Sequence, residues 1–352
     1  MHPDPTFLQV LWFVLIGVLW AGYFILEGFD FGVGMLVKLL ARDRVDTRMI
    51  IHTIGPVWDG NEVWLLVAGG ATFAAFPGWY AAAFSGFYLA LFLVLAALIL
   101  RGVSFEFWGK HDSAGWRATW EWVVAISSAV AALLFGVAWA NFIHGVPMGA
   151  GNVVHASLWD LLHPYALLGG LVTLSLFLTH GANFLALRVS GELHERARVL
   201  STRVEPLAAL LAVAFMIWTI AQQSGRGGVL VLAILTALAA LAIPFARRAG
   251  EGVAFALTSA VITLLTVTFF VTLYPNALPS TTGRAFDLTL SAASSSHYTL
   301  VVMTIVSVIF VPIVLLYQGW TYWVFRHRLG RDDYEGPLNP IAVAERKFGG
   351  SA

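Results

Sequence analysis

Apolar residues run one stretch after another through this chain, separated by short polar breaks, and most stretches reach the roughly 20 residues a helix needs to cross a hydrocarbon layer. Nine runs predict nine membrane helices, over about 7–40, 50–73, 79–100, 119–142, 159–187, 204–223, 228–246, 253–274 and 299–325. The first is long and carries a polar interruption. Only Met1-His2-Pro3-Asp4-Pro5 precedes it, with no basic stretch, so it reads as an uncleaved anchor and not as a signal peptide. The longest polar stretches, 275–298 and 326–352, are too short for a soluble domain. The fold class is therefore an all-α integral membrane protein whose chemistry lies in or beside the bilayer.

The basic residues test this count independently. Sorted by alternate sides, eighteen of the 20 Lys and Arg fall on one side, and only Arg226 and Arg284 on the other. A missed or invented span would scramble that split, and cationic loops stay in the cytoplasm, so the N-terminus is expected outside and the C-terminus inside. Composition agrees: 59% of residues are hydrophobic, 11% are charged, and the mean hydropathy of +0.80 excludes a water-soluble protein. Twenty basic residues balance twenty acidic ones, which leaves no argument for nucleic acid as a partner. The absence of cysteine excludes disulfides and thiolate-held metal or iron–sulfur centres in this chain.

A short internal repeat suggests the organisation. Glu27-Gly28-Phe29-Asp30-Phe31 in the first run corresponds to His180-Gly181-Ala182-Asn183-Phe184 in the fifth, each late in a long helix and ahead of a charged cytoplasmic loop. Four spans apart and parallel, the two runs divide the chain into a four-helix unit over 1–142, a second over 159–274, a peripheral ninth helix over 299–325 and a cytoplasmic tail over 326–352.

Ionisable groups at membrane depth cost roughly 2.5–3.5 kcal/mol each even on insertion scales, so the few present locate the site. Most acids are at helix ends or in loops, with Glu106, Glu121 and Glu205 borderline. Four are deep, Glu27 and Asp30 in the first run and Asp59 and Glu62 in the second. Each pair is spaced i,i+3, on one helical face. Counted from Lys38 and Arg48 they lie roughly 12–17 Å inside the cytoplasmic boundary, so adjacent antiparallel helices could gather them into one proton-exchanging cluster. The plainer alternative is that they only bind helices together or pair with a buried base. Arg101 is the candidate base, unless it snorkels from the end of the third run. Histidines do not form a haem box: most belong to loops or tails, His52 sits at a helix mouth, and His163 and His180 lie at opposite ends of one run. No haem iron is expected to be ligated by this chain alone.

The segments around these acids resemble subunit II of the cytochrome bd-type quinol oxidases. The resemblance rests on Glu27-Gly28-Phe29-Asp30-Phe31-Gly32-Val33-Gly34, on Gly55-Pro56-Val57-Trp58-Asp59-Gly60-Asn61-Glu62-Val63-Trp64, on Phe76-Pro77 through Tyr88 to Arg101, and late in the chain on Tyr274-Pro275 and Val311-Pro312 through Tyr317 to Trp323. It implies a heterodimer with a subunit I that holds two b haems, one d haem and the quinol site. It also implies oxidation of quinol, reduction of dioxygen to water, and protons drawn from the cytoplasm. Asp59 then resembles a proton-path position, with Asp30, Glu62 and Glu27 beside it. Trp58, Asn61, Trp64 and Arg101 are expected to line or pack the subunit interface. Some relatives hold a structural quinone against subunit II, whose contacts here are unassigned.

Two other classes compete. A proton-coupled secondary transporter also places carboxylates at mid-depth, but its repeats would carry matching acids, and none is expected in the second half. A purely structural subunit would lose assembly and haem together when the carboxylates are changed.

Overall fold

The computed structural model describes residues 4–223 and 226–334. The chain begins with α1 (Phe7–Leu40), 34 residues long, followed by the amphipathic α2 (Arg44–Ile54) and then α3 (Trp58–Ala75). The short α4 (Pro77–Gly86) leads into α5 (Tyr88–Phe107) and α6 (Ala114–His144). After an irregular segment come α7 (Pro164–Arg188), α8 (Gly191–Gln222), α9 (Gly227–Ala246) and α10 (Glu251–Leu273). A two-stranded antiparallel ribbon, β1 (Asn276–Leu278) with β2 (Leu288–Thr289), and the single turn α11 (Leu290–Ala293) precede α12 (His297–Val324).

Among the described residues eight helices are long and apolar enough to cross a membrane, against the nine expected. The discrepancy lies in the second expected run, 50–73, which is not one helix. Pro56 has no N–H to offer the preceding turn, so α2 stops at Ile54 and α3 restarts at Trp58. The new helix opens on Trp58-Asp59-Gly60-Asn61-Glu62, too polar to pass on hydropathy alone. The third expected run is likewise broken, at Phe87, and its helix continues to Phe107. Arg101 therefore sits within α5 and not at its end. The 188–203 segment, read as a loop, is mostly the first turns of α8.

Helix α1 is the hub, packed against α3, α6, α7 and α10. Lipid chains are as apolar as leucine side chains, so close packing rather than water exclusion must hold such helices together. Small residues allow it: Gly32 of α1 faces Gly181 of α7 so closely that a Cβ on Gly32 would overlap the Phe177 carbonyl. Beside this crossing, Tyr23, Phe24, Phe31, Phe135 and Phe177 are buried in edge and tilted ring contacts, each worth about 0.5–1.5 kcal/mol beyond its area. By contrast α12 touches only α1 and α3 to any extent, and Leu300 is its one buried residue among those described.

The chain beyond α12 crosses one end of the bundle, beside α2 and the junctions of α7 with α8 and of α9 with α10, as a strap. Leu329 bonds to the backbone of Arg188 and Ser190, and Arg328 reaches Glu251 at 3.0 Å. Arg331 lies 2.7 Å from Asp43 and 3.2 Å from Asp46, while the Tyr334 hydroxyl meets His52 Nδ1 at 3.0 Å. The Arg331 guanidinium, with the Asp46 backbone N–H, holds the Asp43 carboxyl below the usual carboxylate range.

Candidate functional site

Three of the four deep acids meet, around Arg101. Glu27 and Asp30 of α1 and Arg101 of α5 are fully buried. Arg101 Nη1 is ion-paired with Glu27 and lies 3.9 Å from Glu62 Oε2 of α3, whose side chain is 23% exposed. The guanidinium also sits over the Phe31 and Phe105 rings, 4.8 and 5.3 Å from their centroids. Pairing, not snorkelling, thus describes Arg101. Asp59 is apart: it is exposed in the first turn of α3, one turn before Glu62, where the helix N-terminus favours a carboxylate. The i,i+3 spacing gave the shared face, but the break at Pro56 puts Asp59 at a helix start and not deep along a continuous span.

Asn61 is fully buried and its Nδ2 donates to Asp30 Oδ2 at 2.7 Å. Its Oδ1 accepts from the Tyr322 hydroxyl at 2.7 Å and from Gln318 Nε2 at 3.3 Å, both on α12. Trp64 donates its indole N–H to Gln318 Oε1 at 2.8 Å and lies against Gly22 of α1. Trp58 packs on Phe105, with ring centroids 5.2 Å apart. Both tryptophans therefore make contacts inside the chain. Gln318 and Tyr322 escaped the sequence reading, although a lone amide in the apolar run of α12 was a signal available there. Several buried polar atoms find no hydrogen-bond partner among the described residues: Glu27 Oε2, Asp30 Oδ1, Arg101 Nε and Nη2, and the Tyr23 hydroxyl.

A second buried cluster was not expected. Glu205 of α8, read as borderline, is 1% exposed and accepts from Arg247 Nη2 at 2.7 Å. The same Nη2 reaches Asn183 Oδ1 of α7 at 2.7 Å, and the Ser201 hydroxyl lies 2.8 Å from that oxygen and 2.9 Å from Glu205 Oε1. The expectation that the second half holds no matching acid is corrected. Glu205 sits between Arg203 and Pro206, which disguised a helix interior as a helix end.

The one histidine buried among the transmembrane helices, among the described residues, is His180. Its Nε2 donates to the Ile25 carbonyl at 3.1 Å, Nδ1 accepts from Thr258 Oγ1 at 2.7 Å, and its ring stacks on Phe255. Both nitrogens are thus committed, which does not suit an axial haem ligand. No group of three or more metal-ligating side chains occurs among the described residues.

A family model, described as cytochrome bd terminal oxidase subunit II, matches residues 8–325. The chain belongs to that family. Cytochrome bd ubiquinol oxidase subunit 2 of Bacillus subtilis is 40% identical, with 93% of this chain and 98% of that one covered. Cytochrome bd-I ubiquinol oxidase subunit 2 of Escherichia coli K12 is 37% identical, with 94% and 98% covered. In fold, the chain is similar to one in the bd oxidase of Geobacillus thermodenitrificans, with a TM-score of 0.73 at 17% identity, covering 91% of this chain and 99% of that one. Subunit II of a cytochrome bd oxidase is a multi-pass membrane protein of a bacterial terminal respiratory oxidase and works with a subunit I in a haem-containing complex.

Proposed function

We propose that this subunit carries protons from the cytoplasmic side toward the oxygen-reducing centre of subunit I, through Asp59, Glu62 and the buried pair Glu27 and Asp30. The haems of subunit I, two b and one d, would supply electron transfer from quinol and the reduction of dioxygen. Each dioxygen reduced to two waters consumes four protons, and electrons arriving in a low-dielectric site without matching protons are costly. What this chain contributes is a graded series of acids: Asp59 exposed, Glu62 half-buried, Glu27 and Asp30 sealed.

One observation carries the reading. Glu27 and Glu62 pair with one guanidinium and Asp30 lies in its field without touching it, so a single base cannot neutralise all three, and the surplus is met by protons the cluster can exchange. The cationic loops support an N-terminus outside and a C-terminus inside, so that Asp59 opens to the cytoplasm. The matching placement of the clusters around Arg101 and Arg247 supports two parallel four-helix units with α12 beside them. Quinol and dioxygen are the substrates this reading assigns to the complex.

The test is Asp59→Asn and Asp30→Asn in the two-subunit complex, with haem content and quinol-driven oxygen uptake measured on one sample. Removing a proton-transfer group should slow uptake about 100-fold with haem content unchanged. Undiminished uptake in both variants would refute the route. Joint loss of haem and activity would point to the structural subunit instead.

A further inference from the structure

The hydrogen bonds around Asn61 have a direction, set at one end by a group that can only donate. An indole N–H has no acceptor role, so Trp64 fixes the Gln318 side chain with Oε1 toward the indole, 2.8 Å away. Gln318 must then present its Nε2 to Asn61, and the oxygen it meets there at 3.3 Å also receives the Tyr322 hydroxyl at 2.7 Å. With two donors on its oxygen, Asn61 has only its amide nitrogen left for Asp30. That nitrogen stands 2.7 Å from Asp30 Oδ2. Amide orientations are ordinarily a matter of assignment, but here each follows from its neighbour, back to the indole.

We infer that Gln318 and Tyr322 of α12 are positioning residues that decide which oxygen of Asp30 carries its exchangeable proton. An N–H at 2.7 Å from Oδ2 is best met by a carbonyl-type oxygen, because the hydroxyl oxygen of a carboxylic acid is the weaker acceptor. The acid's hydrogen therefore sits on Oδ1, the buried oxygen with no partner among the described residues. Glu27, Glu62, Arg101, Tyr23 and Tyr322 are the charged or titratable groups in Asp30's electrostatic field. The helix that sets this polarity is also the least packed in the bundle, held by the Trp12 indole near its start, by these side chains further along and by the strap that follows it. The inference rests on the proton-route reading, since it concerns how one member of that route is loaded.

The test is reduced-minus-oxidised infrared difference spectroscopy of the intact two-subunit complex. The Asp30 carboxylic C=O band is identified as the one that Asp30→Asn removes. In the double variant Gln318→Leu with Tyr322→Phe, the Asn61 amide is free to turn, so that band should move to higher wavenumber and broaden. Oxygen uptake should fall about tenfold in the double variant and about threefold in either single one, the size expected for losing one or two ordinary hydrogen bonds. Trp64→Phe removes only the donor that sets the direction and should move the band the same way by less. It serves if the double variant does not assemble. An unmoved band in a haem-replete double variant, or in Trp64→Phe if only that assembles, would overturn the inference, as would the absence of any band removed by Asp30→Asn. If Asp30→Asn takes up oxygen at the full rate while the band still moves, the proton route fails and the positioning stands.

Discussion

The clusters around Arg101 and Arg247 are built alike and balanced differently. In each, the arginine lies late in a helix or just past its end, Arg101 in α5 and Arg247 directly after α9, an acid comes from the preceding long helix, α3 or α8, and a polar residue of the EGFDF or HGANF segment closes the group. Around Arg247 one carboxylate meets one guanidinium, and a hydroxyl and an amide oxygen fill in. Around Arg101 two carboxylates, Glu27 and Glu62, reach one guanidinium and a third, Asp30, lies in its field. A matched ion pair can hold helices together and needs nothing further, whereas a surplus of acid in a low dielectric is tolerated only if protons make up the difference. On the proton-route reading proposed above, the contrast separates two uses of buried charge within a single fold, one structural and one functional.

The sharpest way to break the comparison is Arg101→Leu. It strands buried carboxylates without a counter-charge, at a cost of about 3–5 kcal/mol, and should abolish recovery of the haem-bearing complex. Complex yield and haem content in purified membranes check it. In the balanced cluster, Glu205→Leu alone should lower the thermal stability of the complex by about 3 kcal/mol, because it strands Arg247. Adding Arg247→Met should restore most of that loss with oxygen uptake within about twofold of the starting protein, since a buried pair replaced whole by apolar side chains is close to neutral. Thermal unfolding of the single and double variants, with uptake on the same samples, measures both effects. Loss of uptake in a stable double variant would erase the distinction between the clusters.

The smallest effect concerns the strap. Because Asp43 titrates below its ordinary value, its pairing with Arg331 is fully present at neutral pH and is lost as pH falls through that lowered value. Protease cleavage in the segment 326–334 should accordingly rise only under strongly acidic conditions, below about pH 4. In Asp43→Asn, which keeps an N-cap for α2, cleavage should already be faster at pH 7 and change little on acidification.

The bundle and its deep acids were legible in the sequence because both signals are strong and local: long apolar runs, and charges that have no place in them. What stayed hidden depends on averaging or on distance. A hydropathy window runs smoothly over Gly55-Pro56-Val57, although the missing proline N–H splits the helix there. Gln318 and Tyr322 carry no charge and barely dent the apolar run of α12, and their meaning appears only when α12 lies against α3. Glu205 was visible but looked like a helix terminus. The five-residue repeat aligned Asp30 with Asn183, and the structure shows each position holding a buried polar cluster together.

The polar opening of α3 bears on how the chain is made. Asn61 finds its partners Gln318 and Tyr322 at sequence separations of 257 and 261 residues, so they leave the ribosome long after it does. A segment with Asp59, Asn61 and Glu62 in its first turns is a poor substrate for insertion by itself. The hydrogen bonds that satisfy the Asn61 oxygen can therefore form only after α12 has been made, so the polar opening of α3 waits on α12 for its partners.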